Sequence, residues 1–273
     1  MERSQPEIFF HCGLGKVAST YLQYKFFPKL KGVQYVQRTR FRLYPTIIPK
    51  VKADKVLFSR EMDQQLEREA TKFAKLYPDT RTILLLRRHD GWIASQYRRY
   101  VKNGGPKSFE EFFDVEKDQG LWKYEHVYFY PKIELLERLF NHKPLVLFHD
   151  ELKAEPHQFF QKIADYIGAT YDKSDISLAA IHKSYNQKQL KVIHRFSQFL
   201  FKKEPVWSDN IIINWFQRRF RLLACYLILY PALLVPASWV SEEPLISNDQ
   251  LKSIQKAFEQ DWQKCLTYAK EAV

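Results

Sequence analysis

Between the apolar run Ile8-Phe9-Phe10-His11-Cys12 and the helical pattern Tyr21-Leu22-Gln23-Tyr24-Lys25-Phe26 lies the segment Gly13-Leu14-Gly15-Lys16-Val17-Ala18-Ser19-Thr20. A tight glycine loop from strand to helix turns backbone N–H groups and a helix N-terminus toward one point. That makes an anion site, and Lys16 adds a full positive charge. The loop that cradles nucleoside triphosphates needs Gly six residues before its Lys and Ser or Thr directly after it. Those positions hold Phe10 and Val17, so a nucleotide or small-molecule kinase with a variant phosphate loop stands only as the alternative reading. The hydroxyls come at Ser19 and Thr20, where they can face a phosphate without a magnesium ion at the usual place. The same residues also fit plain helix capping by Ser19 or Thr20, with Lys16 a surface charge.

A second cluster of chemistry follows the run Ile83-Leu84-Leu85-Leu86. Arg87 leaves the carboxyl end of this expected strand, where open parallel sheets bind ligands, and offers a planar fork to phosphate. Ser95 stands eight residues later on the next helical pattern and can add a hydroxyl from the same side. The plainer alternatives are a strand-end surface charge for Arg87 and a small packing residue for Ser95. Glu61 follows the apolar run Val56-Leu57-Phe58, and His11 and His89 flank the two phosphate segments. All three are candidates for a general base, since a carboxylate or an imidazole can take a proton at working pH. Each also has a structural reading, as an early-turn acid, a buried strand residue and a loop residue.

Lys16-Val17-Ala18-Ser19-Thr20 resembles, position by position, the Lys-Thr-Gly-Thr-Thr run of carbohydrate-type sulfotransferases that use 3′-phosphoadenosine 5′-phosphosulfate (PAPS). Val17 and Ala18 depart from it. Arg87 and Ser95 have the spacing of the pair that holds the 3′-phosphate in that family. Leu145-Val146-Leu147-Phe148-His149-Asp150-Glu151-Leu152-Lys153 resembles its later strand and turn, with the acidic pair in swapped order. His182-Lys183-Ser184-Tyr185-Asn186 resembles its basic closing loop. The resemblance covers about residues 7 to 200, with an echo at Phe258-Glu259-Gln260-Asp261. It implies a three-layer α/β fold with a central parallel sheet, like that of P-loop nucleoside triphosphate hydrolases. It implies PAPS as donor, 3′-phosphoadenosine 5′-phosphate (PAP) as product, and no metal. Sulfation of a hydroxyl or amine follows, with a carbohydrate or glycolipid as the expected acceptor. Binding would fall to Gly15, Lys16, Val17, Ala18, Ser19, Thr20, Arg87, Ser95 and Lys183, and catalysis to Lys16 and Glu61.

These residues need elements to position them. Short β-rich runs at 8–12, 33–36, 56–58, 83–86 and 145–148 alternate with helical patterns at 64–77, 91–101, 127–140 and 156–167. Strands alternating with helices argue for a parallel sheet covered on both faces. Helical patterns at 187–201, 210–230 and 248–270 follow. One domain over 1–273 is expected, with an α/β core at 7–200 and a helical extension at 201–273.

The chain has 273 residues and a formal net charge of +12, with its Lys and Arg scattered in small groups. A polyanionic partner is favoured and a nucleic-acid arm is not, because the donor's own phosphates can use part of that charge. Cys12, Cys225 and Cys265 are too few and too scattered for a disulfide framework or a zinc cluster, so a reducing compartment is the default. No apolar stretch precedes Ile8, which points to cytoplasmic residence. From Leu222 to Val240 there is no charged residue, though Pro231 and Pro236 interrupt the stretch. A buried helical hairpin is expected there, with a lipid- or acceptor-binding surface, and so peripheral membrane contact, second and a membrane span third. Aromatic segments around Trp122-Lys123-Tyr124 suit either sugar stacking or core packing.

Overall fold

The structure, a computed structural model, describes residues 5–179, 185–201 and 208–271. Its strands are β1 (Glu7–His11), β2 (Gln34–Val36), β3 (Lys55–Ser59), β4 (Arg81–Leu86) and β5 (Leu145–Phe148). The longer helices are α1 (Leu66–Ala74), α2 (His89–Lys102), α3 (Tyr130–Leu139), α4 (Pro156–Ile167), α5 (Gln187–Leu200), α6 (Ile211–Leu229), α7 (Asn248–Ala257) and α8 (Glu259–Glu271). All five expected strands form, each within two residues of its expected limits. They join in one parallel sheet of order β2-β3-β1-β4-β5.

Strand β1 lies in the middle of the sheet, so both of its faces must be apolar, and Ile8, Phe9 and Phe10 are all buried. Phe10 faces one side, its ring 4.7 Å from Phe73 of α1 and 5.0 Å from Phe41. Phe9 and His11 face the other, toward Tyr166 of α4 and Phe27. On that same side Phe26 stacks on Phe160 at 4.6 Å. Each fully buried phenylalanine contributes about 1.5–3 kcal/mol, which is why the aromatic-rich strand and helices make three layers. Helix α4 stops where expected, at Gly168, whose φ of 64° is left-handed and suits a residue without Cβ.

The chain divides into two compact units. The first comprises Met1–Arg88, Tyr128–Ile181 and Phe258–Val273, and holds the sheet with α1, α3, α4 and α8. The second comprises His89–Val127 and His182–Ala257, where α2 packs with α5 and α7, and α5 packs with α6.

Several expectations are corrected. The segment after the glycine loop is not a regular helix capped by Ser19 or Thr20. Ala18 holds the cap position without a side-chain bond, and Ser19–Tyr21 passes at once into a π-helical turn at Leu22–Phe26. Helix α3 begins at Tyr130, not near Val127, because the carboxylate of Asp261 in α8 accepts the Phe129 and Tyr130 amides at 2.8 and 3.1 Å. The pattern at 248–270 is broken at Phe258 into α7 and α8. The stretch 222–240 is no buried hairpin: Leu227, Leu234 and Trp239 are 68%, 87% and 74% exposed. Pro231 and Pro236 end the helix, and only Cys225, Leu229 and Ala232 of this stretch are fully inward. Among the described residues no helix is long and apolar enough to cross a membrane.

Asp261 also faces Lys132, an ammonium whose burial pulls its pKa down to about 8 while Asp261 and Asp63 pull the other way. Asp261→Ala therefore removes two backbone caps and one of the carboxylates that face a buried cation. It should lower stability by about 2–4 kcal/mol in urea unfolding, and a loss below about 0.5 kcal/mol would deny the caps any role.

Candidate active site

The chain leaves β1 toward β2 and β3, then crosses from β3 to β4 on the other side of β1. The carboxyl ends of β1 and β4 therefore flank the point where strand order reverses, the usual crevice for a ligand in an open parallel sheet. Out of β1 comes the loop 12–18, and out of β4 comes Arg87.

The loop is fastened on several sides. The Cys12 amide donates to the Ile83 carbonyl of β4 at 3.1 Å. The Arg60 and Met62 amides donate to the His11 and Gly13 carbonyls at 3.0 and 2.9 Å, so the segment after β3 runs along the loop. Gly13 has no room for a side chain, since a Cβ would stand 2.4 Å from Ser19 Oγ and 2.6 Å from the His11 ring. The Ser19 hydroxyl donates to the Leu14 carbonyl at 2.9 Å and is buried, so this hydroxyl closes the loop from inside instead of facing out. Within this frame Lys16 (φ 68°) and Ala18 (φ 74°) are both left-handed, a conformation costing non-glycine residues of order 1–2 kcal/mol each. Alternating handedness of this kind turns successive amides into a concave, anion-binding nest. Val17 between them is buried, while Lys16 is exposed.

Arg87 reaches across from β4. Its Nη1 donates to the Lys16 carbonyl at 3.4 Å, so the two cationic residues singled out from the sequence stand at one sheet edge. In the β4–β5 pairing Leu86 is opposite Phe148, which brings His149 up beside Arg87. Burial, then the charges of Arg87 and Lys153, hold His149 down to about pKa 4, although Asp150 Oδ1 lies 3.6 Å from its Nδ1.

Glu61 accepts a hydrogen bond from Thr20 Oγ1 at 2.8 Å, and Arg38 approaches the same carboxylate oxygen at 3.9 Å. It is a quarter exposed and lies in the same unit as Lys16. His11, a rival base in the sequence reading, is ruled out by its surroundings. It is fully buried, pairs through Nδ1 with Ser59 Oγ at 2.8 Å, and desolvation lowers its pKa to about 3. His89, the other rival, is a buried residue at the first position of α2 in the second unit. Ser95 is half-buried on α2 of that unit, and Lys183 lies outside the described residues. Cys12 is no nucleophile, since burial raises its thiol to about 12.

Sequence reading missed Asp63, Arg38 and His149. Asp63 Oδ1 accepts the Gly15 amide at 2.7 Å, so one loop N–H is already committed. Its signal was the register of β1 with β3, which pairs His11 with Ser59 and makes the two following loops leave the sheet together. Among the described residues no group of three or more His, Cys, Asp or Glu is placed to hold a metal.

In the second unit Trp122 is buried against Trp92 and Phe112. With Gln96, Tyr100, Asn103, Arg218 and Arg221 it lines a pocket of about 340 Å³ that has no acidic side chain in its wall. Gln96 is 1% exposed, and neither end of its amide has a hydrogen-bond partner.

No protein-family model matches the sequence, and no curated protein matches it. Solved structures do resemble the fold. A sulfotransferase from Alicyclobacillus acidocaldarius superposes with a TM-score of 0.52 at 15% identity, over 74% of this chain and 98% of that one. The mouse sulfotransferase SULT7A1 complexed with PAP gives a TM-score of 0.46 at 13% identity, over 98% of this chain and 89% of that one. The first likeness is one of fold: a parallel sheet with helices on both faces is shared, as the resemblance in the sequence implied.

Two outcomes follow from the loop. Ala18→Gly should leave stability equal or raise it by up to about 1 kcal/mol, whereas Ala18→Val should cost roughly 2 kcal/mol in thermal melts. Equal melting of the two variants would deny the strain. For His11 the folded pKa of about 3 lies below the unfolded 6.5, so acid favours the unfolded chain. Stability should be full above about pH 6.5 and fall toward pH 3, at roughly 1.4 kcal/mol per unit, and His11→Asn should flatten that limb in denaturant titrations.

Proposed function

We propose that this chain moves a sulfuryl group from PAPS to an acceptor hydroxyl or amine. The observation that carries the reading is the 3.4 Å approach of Arg87 Nη1 to the Lys16 carbonyl at the switch point of the sheet. An exposed ammonium, a nest of loop amides and a guanidinium fork at one edge suit a ligand with phosphates at both ends. When bound, PAPS supplies the sulfuryl group and its remainder leaves as PAP.

The chain's part is alignment and charge. Lys16 and the amides of Val17 to Thr20 would hold the 5′ end, where the bond from sulfur to the phosphate oxygen breaks and negative charge grows. Lys16 meets that charge. Arg87 would hold the 3′-phosphate. Glu61, fixed by Thr20 and Arg38, would accept the acceptor's proton as the new bond from oxygen or nitrogen to sulfur forms. The finer reading takes a carbohydrate or glycolipid as acceptor. It is supported by the likeness of Lys16-Val17-Ala18-Ser19-Thr20 to the run of carbohydrate-type sulfotransferases. A kinase finds less support. Val17 is buried where a magnesium-binding hydroxyl would stand, and Asp150, which follows β5 and could offer a carboxylate to the metal, is 65% exposed.

Calorimetric titration with PAP, ATP and NAD should show PAP bound best, and no PAP binding by the intact chain would overturn the reading. Arg87→Ala should weaken PAP roughly tenfold to a hundredfold. Lys16→Ala should lower turnover about 10²–10³-fold with a smaller change in PAP affinity, in a sulfate-transfer assay over sugars, lipids and phenols.

A further inference from the structure

Helix α6 shows water an unusually apolar face. Phe216, Phe220, Leu223, Leu227 and Tyr230 follow one another at spacings of four, three, four and three, so they form a single stripe along the helix. All five are at least half exposed, while Cys225 and Leu229 on the opposite face are fully buried. The stripe continues past the helix end through Leu233 and Leu234 to Trp239. An apolar surface of this extent marks a place that something covers.

Charge decides what covers it. Asp209 precedes this segment and the exposed Glu242 and Glu243 follow it, but from Asn210 to Ser241 the chain carries Arg218, Arg219 and Arg221 and no Asp or Glu, and α5, which packs on α6, also has no acid. Arg218 and Arg219 are exposed; Arg218 stands seven residues before Cys225, away from the stripe, and donates to Asn214, whereas Arg219 flanks the stripe and lies over the Trp215 ring at 5.2 Å. Arg221 is turned inward, donating to the Asn103 and Gly104 carbonyls. A second copy of the chain seated on this face would bring like charges together, whereas an anionic lipid surface complements them. Trp215 near one end and Trp239 at the other are half-exposed or more, and indole rings favour the boundary between headgroups and acyl chains. Since no described helix can cross a membrane, the helix must lie in the plane of the surface.

We infer that α6 and the turns after it, to Trp239, form an interfacial anchor that seats the protein on an anionic bilayer. This goes beyond the transfer reading and does not depend on it.

The test is flotation of the purified full chain with vesicles of phosphatidylcholine alone and of phosphatidylcholine containing phosphatidylserine, with light scattering to give the oligomeric state. The parent should bind the anionic vesicles more tightly, and added salt should weaken it. Phe220→Glu with Leu227→Glu should reduce binding to anionic vesicles at least about tenfold. Arg218→Gln with Arg219→Gln should reduce it roughly tenfold on anionic vesicles and little on neutral ones. Thermal melting and far-ultraviolet circular dichroism report whether each variant is folded, and the arginine pair keeps the test open if the glutamate pair is not. No vesicle binding by the parent, equal binding to both vesicle types, or full binding by either folded pair would overturn the anchor. So would a parent dimer that the glutamate pair dissociates, because a second copy would then be what covers the stripe.

Discussion

Ile8, Phe9 and Phe10 seat β1 between β3 and β4, and the register of that pairing is the constraint on which the site depends. It sets His11 beside Ser59 on one side and Ile83 on the other. A slip of one residue would turn Phe10 away from Phe41 and Phe73 and drive His11 into their place. It would also move the whole loop 12–18 relative to Arg87. The aromatic packing that secures the sheet therefore also sets where the backbone of the loop stands relative to Arg87.

Loop conformation follows from the same frame. Two left-handed non-glycine residues are costly in isolation, and they persist because the surroundings over-determine them. The bonds from Arg60 and Met62, the Ser19 hydroxyl on Leu14, and Asp63 on the Gly15 amide each contribute about 1 kcal/mol net, more for the charged one. Together they outweigh the strain. The nest is thus rigid before any ligand arrives, and little ordering remains to oppose binding. Lys16 is the exception, with its exposed side chain on a fixed backbone.

Much of this was legible in the chain. Strands were legible because a parallel strand buried on both faces reads as an unbroken apolar run, and Leu145–Phe148 did so to the residue. Arg87 was legible because it directly ends such a run. Helix starts were less so. Nothing local to Phe129 shows that Asp261, far along the chain, takes its amide and sets where α3 begins. Asp63 escaped notice for the same reason: a polar residue in a loop acquires its meaning only when the sheet brings two loops side by side. Ser19 was misjudged because composition shows a hydroxyl but not which way it turns. The apolar stretch at 222–240 was visible, yet pattern alone could not tell an inward face from an outward one.

All three thiols, Cys12, Cys225 and Cys265, are fully enclosed, and burial lifts the pKa of each. The thiolate is the reactive form, so the folded chain presents almost nothing to an alkylating agent or a mild oxidant. Two of the sulfurs belong to the sheet-bearing unit and the third to the helical one. Each becomes reactive only when its own surroundings open. The native cysteines are thus built-in clocks, and their separate modification rates time the breathing of the two units without any introduced label.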